Sequence, residues 1–194
     1  MSIGGTQSVT AVRYVIDAKG SRFTVRAFAT GMLAAFAHSP TIAIPDFAGE
    51  VTLPSGTLED ASFRLVIQAA SLAVIGDVRD KDRDEIEHRI RDEVLEVDAF
   101  GEIIYECPRI SSAQKLNEGQ FVVKMDGELA LHGVSRHEPI SARVTLSDGT
   151  LHAAGEFSVR QSDYEIKPVT AAGGAIKLKD ELKLSFDITA RKQP

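Results

Sequence analysis

The chain has 194 residues, of which 43% are hydrophobic and 26% are charged, with a single cysteine and a net charge of −6 at neutral pH. These values are typical of a globular protein that can form a core without disulfide bonds. The acidic balance argues against binding to nucleic acid or to an anionic membrane. The sequence lacks both a run apolar enough for stable membrane insertion and the start of a secretory signal, which predicts a cytoplasmic protein.

Most of the chain alternates between apolar and polar residues, as antiparallel strands with one buried face do. The clearest run spans residues 121–131, where Phe121 and Met125 lie on the apolar face. Turn signals such as Ser147-Asp148-Gly149 separate successive runs. The runs number about eight and are closely spaced, which predicts an all-β barrel or sandwich.

The acidic excess is confined to one segment. Ten acidic and five basic residues lie between Asp77 and Asp98, and the rest of the chain carries a net charge of −1. Aliphatic side chains recur in this segment at helical spacing, at Ile86, Ile90, Val94 and Val97. This spacing predicts one amphipathic helix at about 80–97 that lies across the barrel or its mouth. We expect Asp80 or Asp82 to cap its N-terminus.

The sequence has no recognisable catalytic motif, phosphate-binding loop or zinc-binding motif. Cys107 lies in a strand-like stretch, where a small buried hydrophobic residue is the favoured interpretation over a nucleophile. His38 follows an apolar stretch and precedes a proline, a pattern that favours a position at a barrel mouth. We predict no enzyme, no catalytic residue and no metal site. A metal-assisted enzyme that uses His38, Asp77 or His132 at this mouth is the alternative.

Phenylalanine and methionine are common on the predicted inward face, and the chain has no tryptophan. Both residue types line pockets for flexible apolar ligands and also fill ordinary cores. Composition therefore does not distinguish a hollow interior from a packed one. The candidate ligand contacts on the inward face are Phe23, Val25, Phe28, Phe36, Phe47, Phe63, Leu65, Phe121, Met125, Leu131, Phe157 and Phe186. At the rim, we expect His38, Arg160, Lys167 and Lys179 to meet a polar head group. A pair of surface loops is the alternative for the two stretches that carry the last three residues.

Four stretches follow one another in a characteristic order: Tyr14-Val-Ile-Asp17, Phe47-Ala-Gly49, Leu129-Ala-Leu-His-Gly-Val-Ser-Arg136 and Gly155-Glu-Phe-Ser-Val-Arg-Gln-Ser-Asp-Tyr164. This ordered set resembles the YceI-like family over residues 14–190. The resemblance implies a lipocalin-like antiparallel barrel with an elongated apolar tunnel. It also implies one domain over residues 1–194, with its core at 13–191 and an N-terminal extension at 1–12. In its Asp80-Lys-Asp-Arg83 stretch, the chain resembles a cytoplasmic-type subgroup of this family.

Members of the YceI-like family hold polyisoprenoids, isoprenoid quinones or fatty amides, often as dimers. The resemblance therefore implies a binding protein that sequesters or carries one elongated apolar ligand: an isoprenoid, an isoprenoid quinone, or a fatty acid or amide. We expect no cofactor beyond such a bound lipid, no nucleic acid partner and no stable membrane insertion. A homodimer is expected. A third interpretation is a protein-interaction module whose acidic helix binds a basic partner.

Overall fold

The computed structural model describes residues 11–30, 40–54, 57–171 and 176–194. In these ranges the chain forms fifteen strands: β1 (Val12–Ile16), β2 (Arg22–Arg26), β3 (Ala29–Thr30), β4 (Thr41–Ala43), β5 (Phe47–Leu53), β6 (Ser62–Gln68), β7 (Ala73–Ile75), β8 (Glu102–Cys107), β9 (Ile110–Asn117), β10 (Gln120–Leu131), β11 (Val134–Ser147), β12 (Thr150–Arg160), β13 (Thr170–Ala171), β14 (Ile176–Leu178) and β15 (Glu181–Lys192). Its one α-helix in these ranges is α1 (Asp80–Arg89), which continues into a π-helical turn at Ile90–Val94. Short 3-10 helices lie at Ala18–Gly20, Ala69–Ser71 and Gln161–Tyr164.

Eight of the described strands close into an antiparallel barrel. The order around the barrel is β1-β5-β6-β8-β10-β11-β12-β15, and β15 completes it by pairing with β1. The strands β10, β11 and β12 follow one another as long hairpins, with Phe121 opposite Val144 and Val144 opposite Ala153. The prediction of an all-β, lipocalin-like antiparallel barrel of about eight strands is confirmed.

Strand β15 pairs with two successive strands of the N-terminal region. Its C-terminal end pairs with β1, where Ile16 lies opposite Ala190, and its middle pairs with β2, where Phe23 lies opposite Phe186. The turn at Ala18–Gly20 separates β1 from β2. From β2 the sheet continues through β4 to β7, the strand that precedes α1. This branch brings the helical segment beside the barrel.

Small residues at inward positions leave room inside the barrel. A Cβ atom at Gly127 would lie 2.5 Å from Cζ of Tyr105, and one at Gly155 would lie 2.7 Å from Cζ of Phe186. The two glycines therefore let aromatic rings lie directly over the strand backbone. Alanines also face inward on three neighbouring strands, at positions 142, 153 and 190. Because these side chains are short, the strands can close around free volume.

The helix begins where the sequence predicts, but its N-terminal cap differs. The N-cap residue is Arg79, whose side chain makes no capping hydrogen bond, so the predicted capping by Asp80 or Asp82 is wrong. Both carboxylates pair with arginines instead. Asp80 Oδ1 accepts from Arg83 Nη1 at 3.0 Å, and Asp82 Oδ2 accepts from Arg79 Nε at 2.8 Å. These are exposed pairs that contribute about 0–1 kcal/mol each.

The helix ends earlier than the predicted residue 97. Its final turn is π-helical at Ile90–Val94, where the N–H of Leu95 donates to Ile90 O at 2.9 Å. Glu96 then adopts a left-handed backbone with a φ of 46°, and this conformation ends the helix before Val97. Sequence periodicity misses this end because it assumes a constant helical pitch. None of the described helices is both long and apolar enough to cross a membrane.

Side-chain hydrogen bonds attach α1 to the preceding strand and loop. Glu87 Oε1 accepts from the backbone N–H of Val74 in β7 at 2.8 Å. Arg83 Nη2 donates to Val78 O at 3.1 Å. These two hydrogen bonds fix which side of the helix faces the barrel.

Candidate ligand cavity

The barrel encloses a cavity of about 380 Å³. All eight barrel strands contribute side chains to its wall, and so do β2, β4 and the helical segment that begins with α1. The wall is almost entirely aliphatic and aromatic. Small-molecule sites commonly occupy about 300–1,000 Å³ and are mainly apolar. The size and lining of this cavity are therefore those of a site for one apolar ligand.

Eight of the twelve predicted interior contacts line the cavity: Phe23, Val25, Phe63, Leu65, Met125, Leu131, Phe157 and Phe186. Their rings also pack on one another. Phe186 lies against Phe157 and Phe23, each at a ring-centroid distance of 6.3 Å. Phe36 is outside the described residues. That these side chains touch a ligand remains a prediction.

Three further phenylalanines predicted on the inward face do not line the cavity. Phe47 is buried behind it and packs edge-on against Phe23, with ring centroids 6.2 Å apart. Phe121, near the start of β10, is half-buried against the core. Phe28 lies beyond the end of β2, where strand alternation no longer sets the side-chain direction. Its ring lies 5.5 Å from the guanidinium carbon of Arg26.

The three described residues of the predicted polar rim do not form part of the cavity wall. Arg160, Lys167 and Lys179 are exposed, and none of them lines the cavity. Arg160 alternates with the inward-facing Val159 at the end of β12, so its side chain faces away from the interior. His38 lies outside the described residues. Binding of a head group by these four residues remains a prediction.

Sequence reasoning missed the polar side chains that do line the cavity, and Tyr105 is one of the two most buried of them. Its hydroxyl lies 3.2 Å from Met125 O and 3.1 Å from Glu138 O, and it accepts from the N–H of Gly127 at 3.2 Å. Burial raises the pKa of the Tyr105 phenol, so the group stays neutral. Alternation with the inward-facing Ile103 was a signal that could have identified Tyr105.

Gln161 is the second missed polar residue, and only 3% of its surface is exposed. Its Nε2 donates to Lys179 O at 3.0 Å, and its backbone N–H donates to Asp180 O at 3.0 Å. The carboxylate of Asp180 in turn accepts from the N–H of Ser162 at 2.8 Å and from its Oγ at 2.6 Å. These bonds join the end of β12 to the start of β15 and hold Gln161 in the wall.

We expect the Asp180→Asn variant to be less stable than the wild type at neutral pH, with a smaller difference in acid. The Ser162 hydroxyl, followed by the Ser162 N–H, lowers the pKa of Asp180 below its usual value. A carboxyl whose folded-state pKa is lowered stabilises the fold when ionised, and this contribution is lost as the pH falls through the folded-state pKa. Urea unfolding of the wild type and the variant at pH 7 and pH 3 measures this contribution to the free energy of unfolding.

The control for Asp180 is Asp98→Asn, which alters an exposed carboxylate beyond the helix. Asp98→Asn is expected to be as stable as the wild type at pH 7, because it breaks none of the Ser162–Asp180 bonds. Equal pH dependence of the wild type and Asp180→Asn would contradict the role assigned to the Ser162–Asp180 bonds.

In the part of the chain that the structure describes, no three His, Cys, Asp or Glu side chains are arranged to hold a metal ion. The ring of His132 lies between Glu96 Oε2, at 2.8 Å, and Tyr164 O, at 3.2 Å. Cys107 is buried, and burial raises the pKa of its thiol, which disfavours the nucleophilic thiolate.

A family model for the YceI-like domain matches residues 14–190. The chain belongs to the YceI-like domain family. The family predicted from the four ordered motifs is therefore confirmed. No curated protein sequence matches the chain.

Solved structures with the same fold include three with low sequence identity to this YceI-like domain. A polyisoprenoid-binding domain of Saccharophagus degradans implicated in plant cell wall breakdown is 16% identical, with a TM-score of 0.67 and coverage of 93% of this chain and 98% of that chain. Burkholderia cenocepacia BcnA is 14% identical, with a TM-score of 0.65 and coverage of 90% and 98%. The Campylobacter jejuni YCEI protein is 12% identical, with a TM-score of 0.57 and coverage of 79% and 85%. These similarities show the fold.

Proposed function

We propose that this YceI-like domain binds one elongated apolar ligand inside its barrel. The observation that carries the proposal is the apolar cavity of about 380 Å³ within the closed sheet. The ligand classes are isoprenoids, isoprenoid quinones, and fatty acids or amides. The similarity to a polyisoprenoid-binding domain supports this choice. The function is sequestration or transport of the ligand rather than its chemical conversion.

Burial of a hydrocarbon chain supplies enough free energy for useful affinity. Each CH₂ group transferred from water contributes ~0.8 kcal/mol, so ten groups contribute about 8 kcal/mol. This corresponds to a dissociation constant of about 1 μM before the entropic cost of association is subtracted. The cavity-lining aromatic and aliphatic side chains, including Phe63, Met125, Leu131 and Phe157, are the contacts that would bury such a chain.

Extraction of the purified protein with organic solvent, followed by mass spectrometry, tests the proposal directly. We expect a long-chain ligand in the extract, or stoichiometric binding of added polyprenol, isoprenoid quinone, hexadecanoic acid or hexadecanamide. A protein of similar size without a cavity, purified from the same cells, controls for carried-over lipid. Failure of all four probes to bind, together with an empty extract, would overturn the proposed function.

One observation bears on the interaction-module alternative. The side of the helical segment that carries Ile86, Ile90 and Val94 forms part of the cavity wall. This side of the helix therefore serves the ligand site, and its charged side would remain for a basic partner. Binding of such a partner, formation of a homodimer and a cytoplasmic location remain predictions. Sedimentation of the purified protein and cell fractionation test the last two.

A further inference from the structure

Arg89 is the one charged residue among the described residues that line the cavity, and no carboxylate lines it. It lies in the last turn of α1, between the wall residues Ile86 and Ile90. About a third of its side chain, 31%, is exposed to solvent. A residue that both lines the cavity and reaches solvent lies where the interior meets the outside. A cation at this boundary is suited to the polar end of a ligand whose tail is buried.

The guanidinium of Arg89 keeps open hydrogen-bonding capacity. Its Nε donates to Glu93 Oε2 at 3.1 Å. Among the described residues, its two terminal NH₂ groups have no protein hydrogen-bond acceptor. Arginine presents its donors in a planar fork that matches a carboxylate with two parallel hydrogen bonds. Glu93 therefore leaves donors available on Arg89 for a second carboxylate.

The hydrogen-bond donors of the other polar side chains in the wall are already used within the protein. The Tyr105 hydroxyl bonds backbone atoms of β10 and β11. The amide nitrogen of Gln161 donates to Lys179 O. The hydrogen bonds of these two side chains stabilise the barrel, whereas the terminal NH₂ groups of Arg89 make no such bond to the described residues.

On the basis of the proposed function, we infer that Arg89 binds the carboxylate of a long-chain acid whose hydrocarbon tail occupies the cavity. An anion that leaves water needs a countercharge and hydrogen-bond donors, and Arg89 supplies both. A neutral head group would not need a cation at this position. A diphosphate would bring more negative charge than one arginine, already paired with Glu93, can balance.

A solvated helix-surface role is the competing explanation for Arg89. Pairs at a spacing of four residues, such as Arg89 and Glu93, stabilise helices by about 0.3–0.5 kcal/mol wherever they occur. Arg91 is a matched comparison because its Nη1 lies 3.9 Å from Glu87 Oε2, again four residues away. Arg91 does not line the cavity. The two arginines therefore differ in that Arg89 lines the cavity and Arg91 does not.

The test compares hexadecanoic acid with 1-hexadecanol, which has the same tail and a neutral head, by titration calorimetry. We expect Arg89→Met to weaken binding of the acid about tenfold, because charge-assisted hydrogen bonds are lost from a partly exposed site. Binding of the alcohol should stay unchanged, and Arg91→Met should leave both ligands unaffected. Glu93→Gln should strengthen binding of the acid, since it releases Arg89 from its partner.

The outcomes separate this inference from the proposed function. If the wild type binds the alcohol and Arg89→Met binds the acid as tightly as the wild type does, the inference fails and the apolar site stands. Equal losses of affinity for the acid and the alcohol in Arg89→Met would also overturn the inference, because Arg89 would then act through packing. Tighter, Arg89-dependent binding of hexadecyl phosphate would overturn the carboxylate assignment. If the wild type binds none of the long-chain probes, including the polyprenol and the quinone, the proposed function itself fails.

Discussion

The Gly127→Ala variant is expected to lose about 3 kcal/mol of unfolding free energy, a large loss for the addition of one methyl group. The new Cβ would lie 2.5 Å from Cζ of Tyr105 and 2.6 Å from the carbonyl oxygen of Glu106. Neither neighbour can move easily. The Tyr105 hydroxyl is held by contacts to Met125 O and Glu138 O, and Glu106 lies in the β8 backbone paired with β10.

Urea denaturation of the wild type, Gly127→Ala and Gly101→Ala measures this effect. Gly101 is the matched control because a Cβ there would meet only Val97 O, at 3.4 Å, and its φ is not in the left-handed region. We expect Gly101→Ala to change the free energy of unfolding by less than about 0.5 kcal/mol. A Gly127→Ala variant as stable as Gly101→Ala would show that the barrel wall can relax around Tyr105.

Tyr105→Phe separates the hydroxyl from the ring. This variant keeps the ring over Gly127 but removes the acceptor of the Gly127 N–H and the donor to the β10 and β11 carbonyls. Leaving a buried polar group without its partner costs about 1–3 kcal/mol. The single substitution should therefore be destabilising although no volume is added. An unchanged unfolding midpoint would contradict the proposed importance of these bonds.

The Ala142→Phe variant is expected to weaken binding of long apolar ligands about ten- to hundredfold. Ala142 is buried in β11 and lines the cavity, so a benzyl group there would occupy part of the 380 Å³ that a ligand chain needs. Displacement of two to four CH₂ groups at ~0.8 kcal/mol each accounts for a loss of this size. The added ring also fills empty space, so the fold should not lose stability as it would in a packed core.

Fluorescence displacement or calorimetry with a polyprenol or hexadecanoic acid provides the measurement. Ala48→Phe is the control, because Ala48 is exposed on β5 and does not line the cavity. It should bind these ligands as the wild type does. Ala153→Phe gives a second cavity-filling variant from the neighbouring strand if Ala142→Phe does not fold. Wild-type affinity in a folded cavity-filling variant would place the ligand elsewhere.

The fold was largely predictable because strand alternation is a local property. Each inward-facing run, such as that around Met125 in β10 or Phe157 in β12, follows from the two-residue repeat of a strand. The helix start at Asp80 was equally local. The end of the helix was not predictable from local sequence, because the π turn at Ile90–Val94 and the left-handed backbone of Glu96 depend on how the segment packs against the barrel.

The candidate site was predictable only where a residue lies inside a strand. Phe23, Phe63 and Met125 line the cavity as the alternation suggests, whereas Phe28 lies past a strand end and does not. Arg89 could not be identified as a wall residue from helical spacing. Its charge favours solvent, and only the packing of the helical segment beside the barrel brings it to the cavity.

By itself, the sequence determined the class of fold, the family and the acidic helical segment, since each depends on residue periodicity or on ordered motifs. Tertiary structure alone decided that the interior contains a cavity. Alternation shows which side chains face inward but not how much volume they enclose. That volume depends on strand closure by β1 and β15, on the short alanine side chains at positions 142 and 153, and on the rings that cross Gly127 and Gly155.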